Sequence, residues 1–442
     1  MTTLYGHQKV DRSGTGLRLD AVSVLTAYLV LLVLLPSRLV VGPLGAVGTP
    51  AAVVAAGSAL WWASSRAVPH LGGSLGRQPV RIVLSVFFTV LLTGYAAGML
   101  RPLLPVEARA ADRLMLASVG WIGVALLCAD GVSDRSRLEV LLRRLVLLGA
   151  VLAVVGIVEF VFGIQVAQRI HVPGLRANFP VEGILSRAGF RRVAGTALHP
   201  IEFGVVLAMI LPLALRQALL ASKTRERLPV VLIAFALPMA LSRSATLGTA
   251  AGLLVLFFGW SQRRRVNALA AGGLFLLVLP TALPGVVTAI KGLFVNIGAD
   301  PSTTTRTEDY SAVWGMIKAQ PWFGRGAGTF VPSVYRILDN QYLLTLIESG
   351  VVGVLALLAV FLTAMTCARG ARAVSRDEST RELGQALTAS VTVGLVTWVT
   401  FDAFSNPMAS GILFLLVGCS GALWRLAMQE NAPERLRVLQ LP

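Results

Sequence analysis

Apolar residues recur along the chain in long blocks separated by short polar or basic segments. About 20 apolar residues in a helix cross the ~30 Å hydrocarbon core of a membrane, and many of the blocks approach that length. The pattern predicts an all-α integral membrane protein, a bundle of about 12 transmembrane helices. The predicted spans are residues 21–36, 39–62, 80–100, 113–130, 139–163, 200–220, 228–242, 245–262, 266–283, 341–366, 384–404 and 407–426.

The apolar run from Leu228 to Trp260 is too long for one span and slightly short for two. Basic residues precede it at 223–227 and follow it at 263–265, and cytoplasmic connections collect Lys and Arg. Only a hairpin of two helices puts both basic clusters on one side of the membrane. Arg243 then lies at the turn of this hairpin, on the opposite side.

Most of the 39 Lys and Arg residues fall on one side of the membrane when both termini are cytoplasmic. The predicted organisation is a cytoplasmic N-terminal segment (1–20), a single polytopic membrane domain (21–426) and a cytoplasmic tail (427–442). It leaves two long extracytoplasmic loops, at about 164–199 and 283–340. Because helices in a bundle need only short connections, loops of this length indicate lids or sites.

Composition narrows the function classes further. The chain is 55% hydrophobic and only 14% charged, with a net charge of +17. The basic residues lie in small clusters between apolar blocks rather than along one polar surface, which argues against nucleic-acid binding. The three cysteines are isolated in the sequence and predict neither a disulfide framework nor a zinc site. No cofactor is predicted.

The first long loop attracts anions. It contains one acidic residue and five arginines: Arg169, Arg176, Arg187, Arg191 and Arg192. Guanidinium groups bind phosphate oxygens with paired hydrogen bonds, so the loop is suited to a lipid diphosphate. Attraction to ordinary anionic headgroups explains the same composition.

The second long loop contains a predicted amphipathic helix. Thr305 and Glu308 have the spacing of a capping box, apolar residues follow at helical spacing, and Pro321 ends the helix. Such a helix lies on the membrane or caps the bundle. Arg306 falls in the first turn, where a cation opposes the helix dipole, so it is either an anion ligand or a solvated surface charge.

The end of the second loop carries further candidates. The glycine-rich segment around Arg325 offers backbone N–H groups to an anion or forms a turn. Asp339 stands where the next span begins, as a functional acid or as the N-cap of that helix. Glu348 falls within the apolar helix, where an ionisable group is costly and predicts function.

Four motifs, in order along the chain, resemble those of the O-antigen ligase and Wzy-type polymerase superfamily of membrane glycosyltransferases. The resemblance covers about residues 189–353. The motifs are Arg192-x-x-Gly195 with His199-Pro200, the pair Ser242-Arg243, the elements Arg306, Trp314, Pro321 and Gly324-x-Gly326, and Asp339-Asn340-x-Tyr342-Leu343 followed by Glu348-x-Gly350.

The resemblance implies transfer of a glycan from a polyprenyl-diphosphate-linked donor to an acceptor hydroxyl, on a glycan or lipid-linked glycan, at the outer face of a bacterial cytoplasmic membrane. Membrane lipids are the other expected partners. It implies that arginines stabilise the diphosphate and that an acid accepts the proton of the acceptor, without a metal ion. The implied catalytic residues are Asp339, Arg192, Arg243 and Arg306. The implied substrate-binding residues are Arg191, His199, Arg325, Asn340, Tyr342 and Glu348.

Two positions depart from the superfamily pattern. Lipid A ligases carry a His where this chain has Asp339, whereas polymerase-like members often have Asp-Asn, so a polymerase is favoured over a ligase. Ile201 replaces an Asn that often follows the His-Pro pair, which weakens the transfer of a role to that turn. A transporter or flippase of lipid-linked glycans and a non-catalytic membrane scaffold are the alternatives from other classes. A transporter predicts short loops and charges near the midplane, and this chain has neither feature.

Overall fold

The computed structural model describes residues 20–67, 78–178, 185–187, 189–295 and 301–430, excluding the side chains of 46 and 301–307. It is a mainly α-helical protein with two small two-stranded sheets in this part of the chain. The first helices are α1 (Ala21–Leu34), α2 (Pro50–Ala67), α3 (Pro79–Met99), α4 (Pro105–Gly131), α5 (Arg135–Phe162), α6 (Val166–Arg169) and α7 (Pro200–Leu220). The remaining helices are α8 (Leu228–Ala236), α9 (Arg243–Gly259), α10 (Gln262–Ala282), α11 (Val286–Val295), α12 (Pro301–Ala319), α13 (Gln341–Val374), α14 (Glu378–Thr397) and α15 (Pro407–Glu430).

Local sequence explains where many of these helices begin. Proline is the first residue of α2, α3, α4, α7 and α15, where its missing N–H costs no intrahelical hydrogen bond. Side-chain caps start α1 at Asp20, α5 at Asp134 and α14 at Asp377. The boundaries therefore follow from a few polar residues and prolines between the apolar blocks.

In the described part of the chain, seven helices are long and apolar enough to cross a membrane: α3, α4, α5, α7, α10, α13 and α15. Three shorter helices, α1, α9 and α11, are also apolar. The protein is thus an all-α integral membrane protein. Each of the 12 predicted spans overlaps an α-helix, while the number that cross the membrane stays a prediction.

The structure corrects the predicted span 39–62. Residues Leu39–Val41 form strand β1, a 3₁₀ helix follows over Gly42–Val47, and the helix begins only at Pro50. Strand β1 pairs antiparallel with β2 (Leu175–Ala177) from the first long loop. The glycines and prolines of this segment disfavour a helix. Pairing with β2 supplies the hydrogen bonds that the backbone of Leu39–Val41 would otherwise make within a helix.

Two ends of the bundle are distinguished by their contacts. We call the end that carries the two long loops the loop end. At the opposite end, ion pairs tie the helix termini together: Arg137 pairs with Asp20, and Asp130 pairs with both Arg66 and Arg81. Arg216, near the end of α7, and Arg264, at the start of α10, line one cavity, so the basic clusters that flank α8 and α9 share this opposite end.

The core lies where α4, α7, α13, α14 and α15 pack together. In the most apolar 18-residue stretch of each helix, 83% of the residues are buried in α15 and 6% in α10. Helix α10 therefore packs on the outside of the described bundle. Gly418 of α15 lies against the backbone of Ala125 in α4, at a distance that leaves no room for a side chain. Small residues of this kind let membrane helices approach closely.

Candidate active site at the loop end

Arg192 is positioned by the segment between α5 and α7. Strands β3 (Ser186–Arg187) and β4 (Phe190–Arg191) form a hairpin. Beyond the hairpin, the carboxylate of Glu159 accepts hydrogen bonds from the N–H groups of Ala194 and Gly195, at 3.1 and 2.7 Å. These bonds fix the backbone beside Arg192, because one carboxyl oxygen accepts from both amides.

The guanidinium of Arg192 turns toward the connection between α8 and α9. Its Nε donates to the carbonyl of Ala240 at 3.1 Å. Its Nη2 is buried and has no hydrogen-bond partner among the described residues. A buried donor of this kind costs free energy until an acceptor arrives. Burial, and then the charge of Arg187, lowers the Arg192 pKa to about 10, which still leaves the group cationic at neutral pH.

His199 lies beside Arg192 and caps α7. Its Nδ1 accepts a hydrogen bond from the N–H of Ile201 at 3.1 Å. Burial, followed by the charge of Arg192, lowers the His199 pKa to about 4. The imidazole is therefore neutral at physiological pH, and its observed contact is that of a helix cap.

Arg243 is the first residue of α9. Before it, a 3₁₀ helix over Leu237–Ala240 ends at Leu241, a buried residue with a left-handed backbone (φ 45°). That conformation costs a branched side chain roughly 1 to 2 kcal/mol and turns the chain sharply into α9. The Arg243 side chain is buried and donates from Nε to the carbonyl of Leu293 in α11, at 2.7 Å.

Arg192 therefore contacts the short connection that leads into Arg243. Arg192 binds the carbonyl of Ala240, three residues before Arg243. Gly204 of α7 lies so close to this connection that a side chain there would collide with Ala245. The close approach holds the start of α7 against the start of α9. The order of the motifs along the chain does not predict this contact.

The start of α13 corrects one sequence interpretation. Its N-cap is Asn340, whose side chain accepts from the N–H of Leu343 at 3.1 Å and donates to the Tyr310 hydroxyl at 3.1 Å. The alternative that Asp339 caps the helix is therefore wrong. Asp339 is half-buried just outside the helix.

The turn between α14 and α15 joins the starts of α13 and α9. The Gln341 N–H donates to the carbonyls of Trp398 and Phe401, at 2.9 and 3.1 Å. In the same turn, the Thr400 hydroxyl bonds Ser244, next to Arg243, at 2.7 Å. The predicted span 384–404 ends earlier than expected, at Thr397, because the chain leaves the helix to make these contacts.

Asp402, in this turn, is an acid that the sequence analysis missed. It is half-buried, and its pKa is raised to about 6, mainly by burial and in addition by the negative charge of Asp339. Two carboxyl groups therefore lie within electrostatic range at the loop end. The detectable signal was an acid inside a predicted apolar span, the same signal that marks the buried residues Glu159 and Glu202.

Arg325 and Glu348 belong to a second cluster on the same end. Arg325 pairs with Glu107 of α4 at 2.8 Å and lies 4.2 Å from the centre of the Tyr335 ring. The Tyr335 hydroxyl donates to the same carboxylate at 2.6 Å. Arg325, predicted to bind substrate, is thus already held by an acid and an aromatic ring.

The glycine-rich segment around Arg325 forms a packed turn, which is one of the two interpretations that its sequence allows. Gly324, Gly326 and Gly328 all have positive φ values. Gly326 donates its N–H to the carbonyl of Glu348 at 2.9 Å, and the Glu348 carboxylate accepts from the N–H of Phe330 at 3.0 Å. Glu348 therefore holds this turn against α13, where Gly350 interrupts the helix.

The remaining predicted residues have separate positions. Arg191 is exposed at the hairpin, and the Tyr342 hydroxyl donates to the carbonyl of Leu395 in α14 at 2.8 Å. Arg306 lies in the second turn of α12, which begins at Pro301 rather than at the predicted capping box; its side chain is outside the described residues. The same helix ends before Pro321, as predicted.

A cavity of about 60 Å³ adjoins Arg191 and Arg192. Its other walls come from the start of the first long loop and from the segment leading into α7. Across the described side chains, no group of three or more His, Cys, Asp and Glu residues is placed to hold a metal ion.

A family model described as O-antigen ligase matches residues 228–358. The match confirms the resemblance to the O-antigen ligase and polymerase superfamily and supports a membrane enzyme of glycosyl transfer. It includes Arg243, Arg306 and Asp339, whereas Arg192 and His199 precede it. No curated protein matches the chain.

Proposed function

We propose that this protein is a glycan polymerase that transfers a polyprenyl-diphosphate-linked glycan to an acceptor hydroxyl of another glycan, at the outer face of a bacterial cytoplasmic membrane. The observation that carries the proposal is the arrangement of Arg192. Its guanidinium is fixed on the backbone three residues before Arg243, yet Nη2 has no partner among the described groups. A diphosphate oxygen supplies the missing acceptor.

In the proposed reaction, the acceptor hydroxyl attacks the anomeric carbon of the donor glycan, and its proton passes to the carboxylate of Asp339. The bond between the anomeric carbon and the diphosphate oxygen breaks, and polyprenyl diphosphate leaves with the bonding electrons. Arg192, Arg243 and Arg306 stabilise the charge that develops on the leaving group. The reaction as proposed needs no metal ion, because these cations take its place.

Asp339 supports a polymerase over a ligase. Lipid A ligases, which the chain resembles, have a His at this position. The structure removes the alternative of a helix cap for Asp339, since Asn340 has that role. With the cap assigned to Asn340, we retain the interpretation of Asp339 as a functional acid beside the α14–α15 turn, where a carboxylate could accept the proton of an acceptor hydroxyl.

The proposal is tested with the full-length protein in liposomes that contain lipid-linked glycans extracted from host cells lacking this protein. We expect longer glycans and free polyprenyl diphosphate to appear together, and only when the protein is present. Movement of glycan across the bilayer without release of polyprenyl diphosphate would identify a flippase and contradict the proposal. Transfer to a lipid of another class would identify a ligase.

The location of the site is tested separately by cysteine labelling in intact cells. Single cysteines at Ala177 and Ser302 are expected to react with an impermeant reagent, because both loops are proposed to be extracytoplasmic. A cysteine at Arg225, at the opposite end, should react only after permeabilisation. Labels reaching the two loop positions only after permeabilisation would contradict the orientation.

A further inference from the structure

A second cavity lies at the opposite end of the bundle from the candidate active site. It has a volume of about 460 Å³ and is enclosed by the ends of α7, α9, α10, α13 and α14. Five arginines line it: Arg216, Arg264, Arg372, Arg376 and Arg381. Two acidic residues line it as well, so its wall is net positive.

Both acids pair with Arg264. Arg264 pairs with Glu382 and, at 3.4 Å, with Glu378. Arg372 instead bonds neutral groups, the amide oxygen of Gln385 and the carbonyl of Gly259. These contacts position the Arg372 guanidinium through neutral acceptors.

Arg216 is the deepest of the five, with 5% of its side chain exposed. It pairs with Glu139 through its Nη atoms, while its Nε is buried and makes no hydrogen bond within the described part of the chain. Basic residues that only orient a membrane protein lie in connections, where water solvates them. The Arg216 Nε is a buried donor, and such a donor costs free energy until an acceptor arrives.

The chemistry of the wall identifies the ligand class. Guanidinium groups bind phosphate oxygens in paired hydrogen bonds, and basic pockets between transmembrane helices bind anionic lipid headgroups. Trp260 also lines the cavity, and Trp is the residue that membrane proteins place at headgroup level. We propose that this cavity binds a phosphate-bearing anion, such as the headgroup of an anionic phospholipid.

The test uses the purified full-length protein in mild detergent. Binding of phosphatidylglycerol is measured by native mass spectrometry and compared with phosphatidylcholine of the same acyl chains. The variant Arg376→Gln with Arg381→Gln removes two exposed cavity arginines and leaves Arg216, Arg264 and Arg372 intact. Arg225→Gln is the control, since Arg225 is exposed at the same end outside the cavity.

We expect the double variant to bind phosphatidylglycerol at least about tenfold more weakly and the control to bind like the unmodified protein, because a hydrogen bond to a charged group contributes a factor of about ten or more. Inorganic phosphate is added in a second series. Displacement of the lipid by phosphate would assign the site to a soluble phosphate compound, and its failure to displace would assign a lipid headgroup. Equal binding of phosphatidylglycerol and phosphatidylcholine, with no effect of phosphate on either, would overturn the proposal. Equal loss of phosphatidylglycerol binding in the double variant and in the control, again with no effect of phosphate, would also overturn it.

Discussion

Arg192 and Arg325 both lie at the loop end of the bundle, yet their guanidinium groups have different partners. Arg325 pairs with the buried carboxylate of Glu107 and stacks on Tyr335. Arg192 bonds a backbone carbonyl through Nε and keeps a buried Nη2 without a partner among the described groups. Both residues have the same sequence signal, an arginine in a long loop of a membrane protein.

The difference separates a cation that holds the fold from one that is suited to a ligand. An ion pair with an acid satisfies the charge of Arg325, and removal of either partner leaves the other buried. A carbonyl oxygen positions Arg192 without cancelling its charge, so the field of the guanidinium remains for an incoming anion. Substitutions at the two kinds of site test whether Arg192 serves a ligand and Arg325 serves the fold.

The largest expected effect is that of Asp339→Asn. As the base for the acceptor hydroxyl, the carboxylate is required, and its loss is expected to lower glycan transfer about 100- to 10,000-fold. Asp339→His should retain part of the activity, since an imidazole is also a competent base at neutral pH. The rate is measured as release of polyprenyl diphosphate by the reconstituted protein.

Asn340→Asp is a control for the fold at this helix start, because Asp caps a helix about as well as Asn. It should fold normally and keep the neighbouring Asp339 in place. An active Asp339→Asn protein would remove Asp339 from the mechanism and leave the base to another group.

The next effect concerns the arginines suited to the donor. Arg192→Ala, Arg243→Ala and Arg306→Ala should each lower transfer about 100-fold or more, since one donor to a developing charge is worth about 3 to 4 kcal/mol. Replacement by Lys should restore activity only in part, because an ammonium cannot make the forked contact. Protein level and membrane insertion should remain near normal, as measured by immunoblotting of membranes. Near-normal transfer by all three Ala variants would make these arginines anchors for headgroups.

Substitutions in the ion pair of Glu107 and Arg325 should affect stability rather than the chemical step. Glu107→Gln or Arg325→Gln leaves one buried charge without its partner, which is expected to cost about 3 kcal/mol of unfolding free energy. Both substitutions together should cost less than the sum of the two, because the pair is removed as a unit. Thermal unfolding in detergent gives the double-mutant cycle. Additive losses would mean that the ion pair does not couple the loop to α4.

The smallest effect is a pH dependence that arises from Asp402. Its pKa is raised from 3.8 to about 6, so the folded protein holds this proton more tightly than the unfolded chain. The contribution to stability is fully present below about pH 4 and is lost as the pH rises through 6. Asp402→Asn should therefore be more stable than the unmodified protein at pH 8, by roughly 2 kcal/mol, and about equal to it at pH 4.

Thermal unfolding curves between pH 4 and 8 test this expectation. Glu226→Gln, which changes an exposed acid at the opposite end, is the control and should leave the pH profile unchanged. A parallel shift of the Asp402→Asn protein at every pH would show that packing, not the proton, causes the difference.

Much of the helical framework follows from sequence alone. The hairpin of α8 and α9, with Arg243 at its turn, was predicted from two basic clusters and the length of an apolar run. The start of α7 at Pro200 and the end of α12 before Pro321 follow from the backbone restrictions of proline. These features are local, because covalent geometry and the need to satisfy backbone groups act over a few residues.

Contacts between distant segments decided the rest. Strand β1 replaced the first part of a predicted span because residues 175–177 supplied its hydrogen bonds. Arg325 found its acid more than 200 residues earlier in the chain, at Glu107. The turn at Asp402 is positioned by hydrogen bonds to the start of α13 and to the side chain of Ser244. The helical segments and the residue types in the loops follow from the order of residues along the chain. The pairing of the charges does not, because it depends on which distant segments the packed helices bring together.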